Sequence, residues 1–307
     1  MPSSLKAQAS YVIIQTLPSF PTGVSLKGVI PDSGQPTAKV WDMKIGLMNN
    51  PVASPYDEIV ALGKANFDFI DLTIEGPNAL SPHPDRLLAL LDEYRLAVVG
   101  HTDPCLPYAY PIPSLAEACF RELERCAKIF SAIGATIMNI HPCYYCPPAM
   151  KKDLIALNIR VLKPLAQMAA SHGLTLVLEN FKAPFNTVAA YAQILKEVPG
   201  LQVHLDIGHG NMGGDDGVTF CESLGEHIRH VHFSDNRGAR DDHLPLGVGS
   251  VDWKAAVSAL KSIGYDGTIT LEVFCDDKEA LFDYLRISRD RVLDLWNGIP
   301  AGPGVLI

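Results

Sequence analysis

A chain of 307 residues with a net charge of −9, 48% hydrophobic and 19% charged, can bury a substantial core and has no overall basic footprint. Nucleic acid is therefore not the expected partner, and without a run of 18 or more apolar residues no membrane span is expected. The seven cysteines, an odd number at no framework spacing, read as free thiols of a reducing, cytoplasmic compartment; Cys143 and Cys146 read as ordinary loop thiols.

Residues 1–42 stand apart. They contain no acidic residue before Asp32, no arginine, and one short apolar patch, Tyr11 to Ile14, amid Pro, Ser, Gly and Thr. A transit peptide wants arginines, and a secretory signal wants a cleaner apolar run behind a basic start. The segment thus reads as an irregular extension ahead of Met43. Residues 43–296 are expected to form one domain and residues 297–307 a C-terminal tail.

From Lys44 onward, short β-rich runs alternate with helical patterns. Strands are predicted at 44–48, 67–74, 96–101, 136–141, 175–179, 202–206, 228–233 and 268–272. Helices are predicted at 56–62, 85–94, 115–133, 151–172, 187–197, 219–226, 253–263 and 278–296. Gly134, Gly173, Gly200 and Gly264 punctuate helix ends. Eight βα units over about 250 residues match an α/β fold of the (β/α)8 TIM barrel type. A doubly wound sheet uses the same alternation, and counting does not separate the two.

Strand parity adds a second constraint, since alternate side chains point to opposite faces. One face collects Val99 and His101, Asn139 and His141, Val177 and Glu179, His204 and Asp206, His230 and His232, and Thr270 and Glu272. The other is aliphatic: Val98, Met138, Ile140, Leu176, Leu178, Val203, Leu205, Val231, Ile269 and Leu271. In a barrel the mixed face is the lumen, and its last residues reach the C-terminal mouth. Six strands then deliver His101, His141, Glu179, Asp206, His232 and Glu272 to one rim. Buried without partners, so many carboxylates and imidazoles would be costly, and a shared cation removes that cost.

The richest stretch, His230 to Trp253, packs three imidazoles, four carboxylates and two arginines into 24 residues. Glu179, Asp206, His232 and Glu272 offer three oxygens and one nitrogen, a set suited to a divalent ion, Mn²⁺ first, with Zn²⁺, Mg²⁺ or Co²⁺ as alternatives. Such an ion polarises a carbonyl and stabilises the ene-diolate formed when the adjacent proton leaves. Glu179 and Glu272 are the candidate base and acid. His209, Asn180, Lys182, Asp235 and Arg237, just past the rim, are candidate polar contacts, with Glu75 in an equivalent position after the second strand.

The runs Leu178-Glu-Asn180, Leu205-Asp-Ile-Gly-His209, His230-Val-His-Phe-Ser-Asp235, Gly247-Val-Gly-Ser-Val-Asp-Trp253 and Leu271-Glu-Val273 resemble the xylose isomerase-like TIM-barrel superfamily, which holds sugar isomerases and epimerases together with endonuclease IV. The resemblance spans about residues 43–296. Its ketose epimerase branch implies that Glu179, Asp206, His232 and Glu272 hold one metal, and that Glu179 and Glu272 move the proton. In that branch His209 and an arginine near Arg237 contact sugar oxygens; Asn180, Lys182, His101 and His141 are further candidates for the substrate pocket.

The endonuclease IV branch implies additional metal ligands, matched here by His101, His141, His209, Asp241 and His243. That branch also has a Pro-Tyr pair after its first histidine, where this chain has Thr-Asp-Pro-Cys. The expected activity is thus isomerisation or epimerisation of a sugar, keto-sugar or polyol by proton transfer beside a carbonyl. A multi-zinc phosphoesterase and a non-catalytic sugar-binding barrel stay open as alternatives. The expected partner is a small carbohydrate; pairing into a homo-oligomer is an analogy at the level of fold.

Overall fold

The computed structural model describes residues 43–76 and 82–299. The expectations for residues 1–42 and for most of the C-terminal tail lie outside the described residues. In chain order the elements are β1 (Lys44–Met48), α1 (Pro55–Lys64), β2 (Phe69–Ile74), α2 (Pro84–Tyr94), β3 (Ala97–Thr102), α3 (Pro113–Ala132), β4 (Ile137–Ile140) and α4 (Leu154–Ser171). There follow β5 (Thr175–Glu179), α5 (Val188–Glu197), β6 (Gln202–Asp206), α6 (Ile207–Asn211), α7 (Gly217–Leu224), β7 (Ile228–Phe233), α8 (Trp253–Ser262), β8 (Thr268–Leu271) and α9 (Lys278–Trp296).

The strands hydrogen-bond in sequence order, and β8 closes on β1, with Gly46 paired to Thr270. Every neighbouring pair is parallel. Closure decides what alternation alone left open: the fold is a (β/α)8 barrel, not a doubly wound sheet.

Local sequence explains where helices begin. Pro55, Pro84 and Pro113 occupy the first turns of α1, α2 and α3, where a missing N–H costs nothing. The side chains of Thr187, Asp206, Asp216, Asp252 and Asp277 cap α5, α6, α7, α8 and α9, each accepting from a backbone N–H of the first turn. Two predicted helices shift at their ends. Residues before α4 wind as a 3₁₀ turn, Pro148–Asp153, and α7 stops at Leu224 before a second such turn, Gly225–His227. The five-residue α6 was not anticipated.

The aliphatic strand face packs against the helices as expected. Val98, Met138, Leu176, Leu178, Val203, Leu205, Val231, Ile269 and Leu271 share one buried cluster with Leu123, Phe130, Leu162, Phe220 and Leu260. Each such side chain withdrawn from water contributes about 1.5–3 kcal/mol. The barrel floor is filled by Phe69, whose ring would collide with a Cβ on Gly46 at 2.7 Å. Glycine at that position leaves room for the aromatic ring.

Candidate metal and catalytic site at the barrel mouth

Directly above the floor, His230 meets the edge of Phe69 at 6.2 Å between ring centroids. Its Nδ1 lies 2.6 Å from Thr268 Oγ1 and its Nε2 lies 2.9 Å from Asp71 Oδ2. The same Asp71 oxygen meets His232 Nε2 at 2.7 Å and accepts from the Thr270 hydroxyl at 3.0 Å. Burial alone would raise the Asp71 carboxyl. The imidazoles facing it, His101, His230 and His232, outweigh burial and hold the group well below the usual carboxylate range.

One layer higher sits the predicted quartet. Glu179, Asp206, His232 and Glu272 are all buried, and one ligand atom from each lies within 4.8 Å of all the others. Glu179 Oε2 accepts from the Asn139 amide at 2.7 Å and lies 3.1 Å from His141 Nε2 and 3.2 Å from His204 Nδ1. Glu272 Oε2 lies 3.0 Å from His232 Nδ1. Asp206 spends Oδ1 on the His209 backbone N–H at 2.6 Å, capping α6, while Oδ2 is buried with no hydrogen-bond partner.

The charges follow from this geometry. Burial opposes ionisation of Glu179 and Glu272, but the histidines around them prevail: His141 and His204 at Glu179, His243 and His232 at Glu272. Both carboxyls are held below their ordinary range. Asp206 goes the other way. Burial raises it, His209 counteracts, and the neighbouring carboxylates Glu272, Glu179 and Asp241 carry it up to about 7. His232, lowered by burial, is driven well above its usual value by Glu272 and Asp71. Among the described residues the ion-pair partners of these carboxylates are histidines, not lysine or arginine. Three clustered carboxylates, one with a stranded buried oxygen, fit a divalent cation.

The residues implied as further ligands also converge. His101, His141 and Glu179 offer ligand atoms within 4.8 Å of one another. At the rim, Asp241 Oδ2 lies 3.0 Å from His209 Nε2 and 3.3 Å from His243 Nε2, while His243 Nδ1 lies 3.2 Å from the Glu272 carbonyl oxygen. His243 holds a left-handed backbone, φ 48°, a conformation uncommon outside glycine. Burial lowers its imidazole, yet Glu272 and Asp241 lift it to about 9.

The candidate polar contacts past the rim have these surroundings. Asn180 is buried: its amide donates to the Asp206 carbonyl at 2.9 Å and its oxygen accepts from the Asp206 N–H at 2.7 Å, so it clips β5 to β6. Asp235 accepts from the N–H groups of Asn236, Gly247 and Val251 and from the Trp253 indole, pinning the loop after β7. Arg237 is 62% exposed with its guanidinium 3.8 Å from Asp242. Lys182 is exposed, its ammonium 4.7 Å from the Phe181 ring centroid. Glu75 is half-buried, and burial raises its carboxyl.

Parity named the rim but passed over Asp71, which was there to be found. Phe69, Asp71 and Thr73 alternate on β2 just as the other lumen residues do. Phe181 was also passed over. Its ring packs edge-on against His209 at 4.7 Å and His141 at 5.6 Å, forming an aromatic wall with Tyr144.

All seven cysteines are free, Cys143 and Cys146 among them. No helix among the described residues is long and apolar enough to cross a membrane.

Comparison with known proteins adds an independent constraint. The chain is 28% identical over 282 residues to the uncharacterized protein MJ1311 of Methanocaldococcus jannaschii, covering 83% of this chain and 94% of that protein. It is 24% identical over 241 residues to the fructoselysine 3-epimerase of Escherichia coli O157:H7, covering 73% of this chain and 86% of the enzyme. A solved D-tagatose 3-epimerase-like protein superposes with a TM-score of 0.70 at 28% identity, covering 81% of this chain and all of the other. Residues 59–291 match the family model described as a xylose isomerase-like TIM barrel, and the chain belongs to that family.

Proposed function

We propose that the protein is a divalent-metal-dependent isomerase or epimerase acting on a sugar, keto-sugar or related polyol, by proton transfer next to a carbonyl. The observation that carries this reading is the convergence of Glu179, Asp206, His232 and Glu272 within 4.8 Å. Similarity to a fructoselysine 3-epimerase supports the substrate class. The metal would be held by those four side chains, Mn²⁺ being the first expectation, and when bound would polarise the substrate carbonyl as a Lewis acid.

Glu179 and Glu272 reach the site from β5 and from the end of β8, with the strands of Asp206 and His232 between them. A substrate carbon lying between the two glutamates can lose its proton to one carboxylate. It can then gain a proton on its other face from the second glutamate, once that carboxylate, ionised at rest, has itself taken a proton from solvent, inverting that centre. His209 stands at the rim with its Nδ1 2.8 Å from the Asn180 carbonyl oxygen and its Nε2 3.0 Å from Asp241, so it would contact a substrate oxygen through Nε2 by exchanging Asp241 for it. Phe181 walls the site on the side of His141 and His209, excluding water and offering an apolar face to C–H groups of a sugar ring.

A second reading is favoured by one observation: His101, His141 and Glu179 also converge, and Asp241 stands between His209 and His243. These would suit further ions and a phosphoester substrate, as in the endonuclease IV branch. Metal analysis of the purified protein separates the two. One exchangeable equivalent with Mn²⁺ supports proton transfer; two or three tightly held zinc ions support phosphoester hydrolysis. A solvent-deuterium exchange screen over ketoses and inosose-like ketones completes the test. Exchange into one C–H bond is the expected result, and no exchange with any metal-loaded sample would overturn the first reading.

A further inference from the structure

We infer that Asp71 is a positioning residue that turns His232 so that its Nδ1 is the nitrogen offered to the ion. This rests on the metal-site reading above. An imidazole binds a cation through a bare nitrogen, and what the other nitrogen meets decides which one is bare. His232 Nε2 points down the lumen onto Asp71 Oδ2 at 2.7 Å. Nδ1 points up, 3.0 Å from Glu272 and 3.9 Å from Asp206. A carboxylate at Nε2 accepts that N–H and leaves Nδ1 for the quartet.

Asp71 is itself held firmly. It is fully buried on β2, and its Oδ2 also meets His230 Nε2 at 2.9 Å and the Thr270 hydroxyl at 3.0 Å, while Oδ1 lies 3.7 Å from His101 Nδ1. With three donors on one oxygen, Asp71 serves as a fixed acceptor beneath the site. It also ties β2 to β7 and β8, which are not its neighbours in the barrel wall. Acceptors placed behind metal-bound histidines typically contribute 10–100-fold to metal affinity.

The test uses the full chain. Mn²⁺ titration by calorimetry is expected to show an affinity loss of about 10–100-fold in Asp71→Ala. Asp71→Asn, whose amide oxygen can accept the same proton, is expected to lose less. Because Asp71→Ala removes a buried group and could unfold, ¹⁵N spectra of the wild-type protein loaded with Zn²⁺ supply the second readout: His232 protonated on Nε2 and bare on Nδ1. Wild type that binds metal with Nε2 bare, or Asp71→Ala that folds and binds Mn²⁺ as tightly as wild type, overturns the inference and leaves the metal reading intact. A wild-type protein that binds no divalent ion overturns both.

Discussion

His230 and His232 stand two residues apart on the same strand, both fully buried, both touching Asp71, yet they belong to different regions of the lumen. On the floor, His230 has each ring nitrogen within hydrogen-bond distance of a protein atom, Thr268 on one side and Asp71 on the other, and its imidazole is lowered, chiefly by burial. At the mouth, His232 shares Asp71 but turns its other nitrogen to Glu272, beside the stranded oxygen of Asp206. A polar group whose bonds are completed internally fixes the fold, whereas one whose bonds end on crowded carboxylates is arranged for something the protein itself lacks.

The strongest blow to that contrast falls on the proton-moving carboxyls. Glu179→Gln and Glu272→Gln should each slow solvent-deuterium exchange by about 10²–10⁴-fold, the usual contribution of a general acid or base. A variant that exchanges at the wild-type rate would remove that glutamate from the chemistry.

The two histidines themselves come next. His232→Ala should lower Mn²⁺ affinity by more than the roughly 10–100-fold expected of a residue behind the ligands. His230→Ala should instead appear in thermal melts, costing about 3–5 kcal/mol because it leaves the buried Asp71 charge with fewer donors. Metal affinity should fall much less in His230→Ala than in His232→Ala. Equal losses of affinity would erase the distinction between floor and mouth.

Period-2 alternation places His230 and His232 together on the inward face, because a strand's inward residues are fixed by counting. Glu179, Asp206, His232 and Glu272 are ends of such series, and closure of β8 on β1 brings them together. Asp71 obeys the same count, but it is enclosed by Phe69, Ile70, Leu72 and Ile74, and the aliphatic context hid it. The roles of Asn180 and Asp235 have no periodic signature. Their bonds go to backbone groups brought near by the turns after β5 and β7, so residue type alone reads as polar loop. The short α6 failed for a related reason: five residues carry too little periodicity, and only its Asp206 cap marks it.

Acidity offers a milder test. In the metal-free protein burial raises Asp206, and with help from Glu272, Glu179 and Asp241 it reaches about 7 against the pull of His209. The folded protein holds this proton more tightly than an unfolded chain would. Its contribution to stability is therefore present at acid pH and lost as pH rises through about 7. A cation must displace the same proton, so Mn²⁺ affinity should rise by at least about tenfold per pH unit below 7 and more gently above it. The raised imidazole of His232 pushes in the same direction. Titrations at pH 6, 7 and 8 check this, and affinity independent of pH would place Asp206 outside the ion's reach.

The smallest effect is expected outside both regions. The Arg237 guanidinium is 62% exposed and lies 3.8 Å from Asp242, a separation at which solvent screens most of the attraction. Arg237→Ala should shift stability by no more than about 0.5 kcal/mol and leave Mn²⁺ affinity unchanged. Because the side chain stands past the rim, any effect on turnover should fall on KM rather than on the rate of proton exchange once substrate saturates. A tenfold loss of metal affinity in this variant would show that the loop after β7 is coupled to the quartet through Asp241 and Asp242. The mouth would then depend on a surface segment, not on the lumen beneath it.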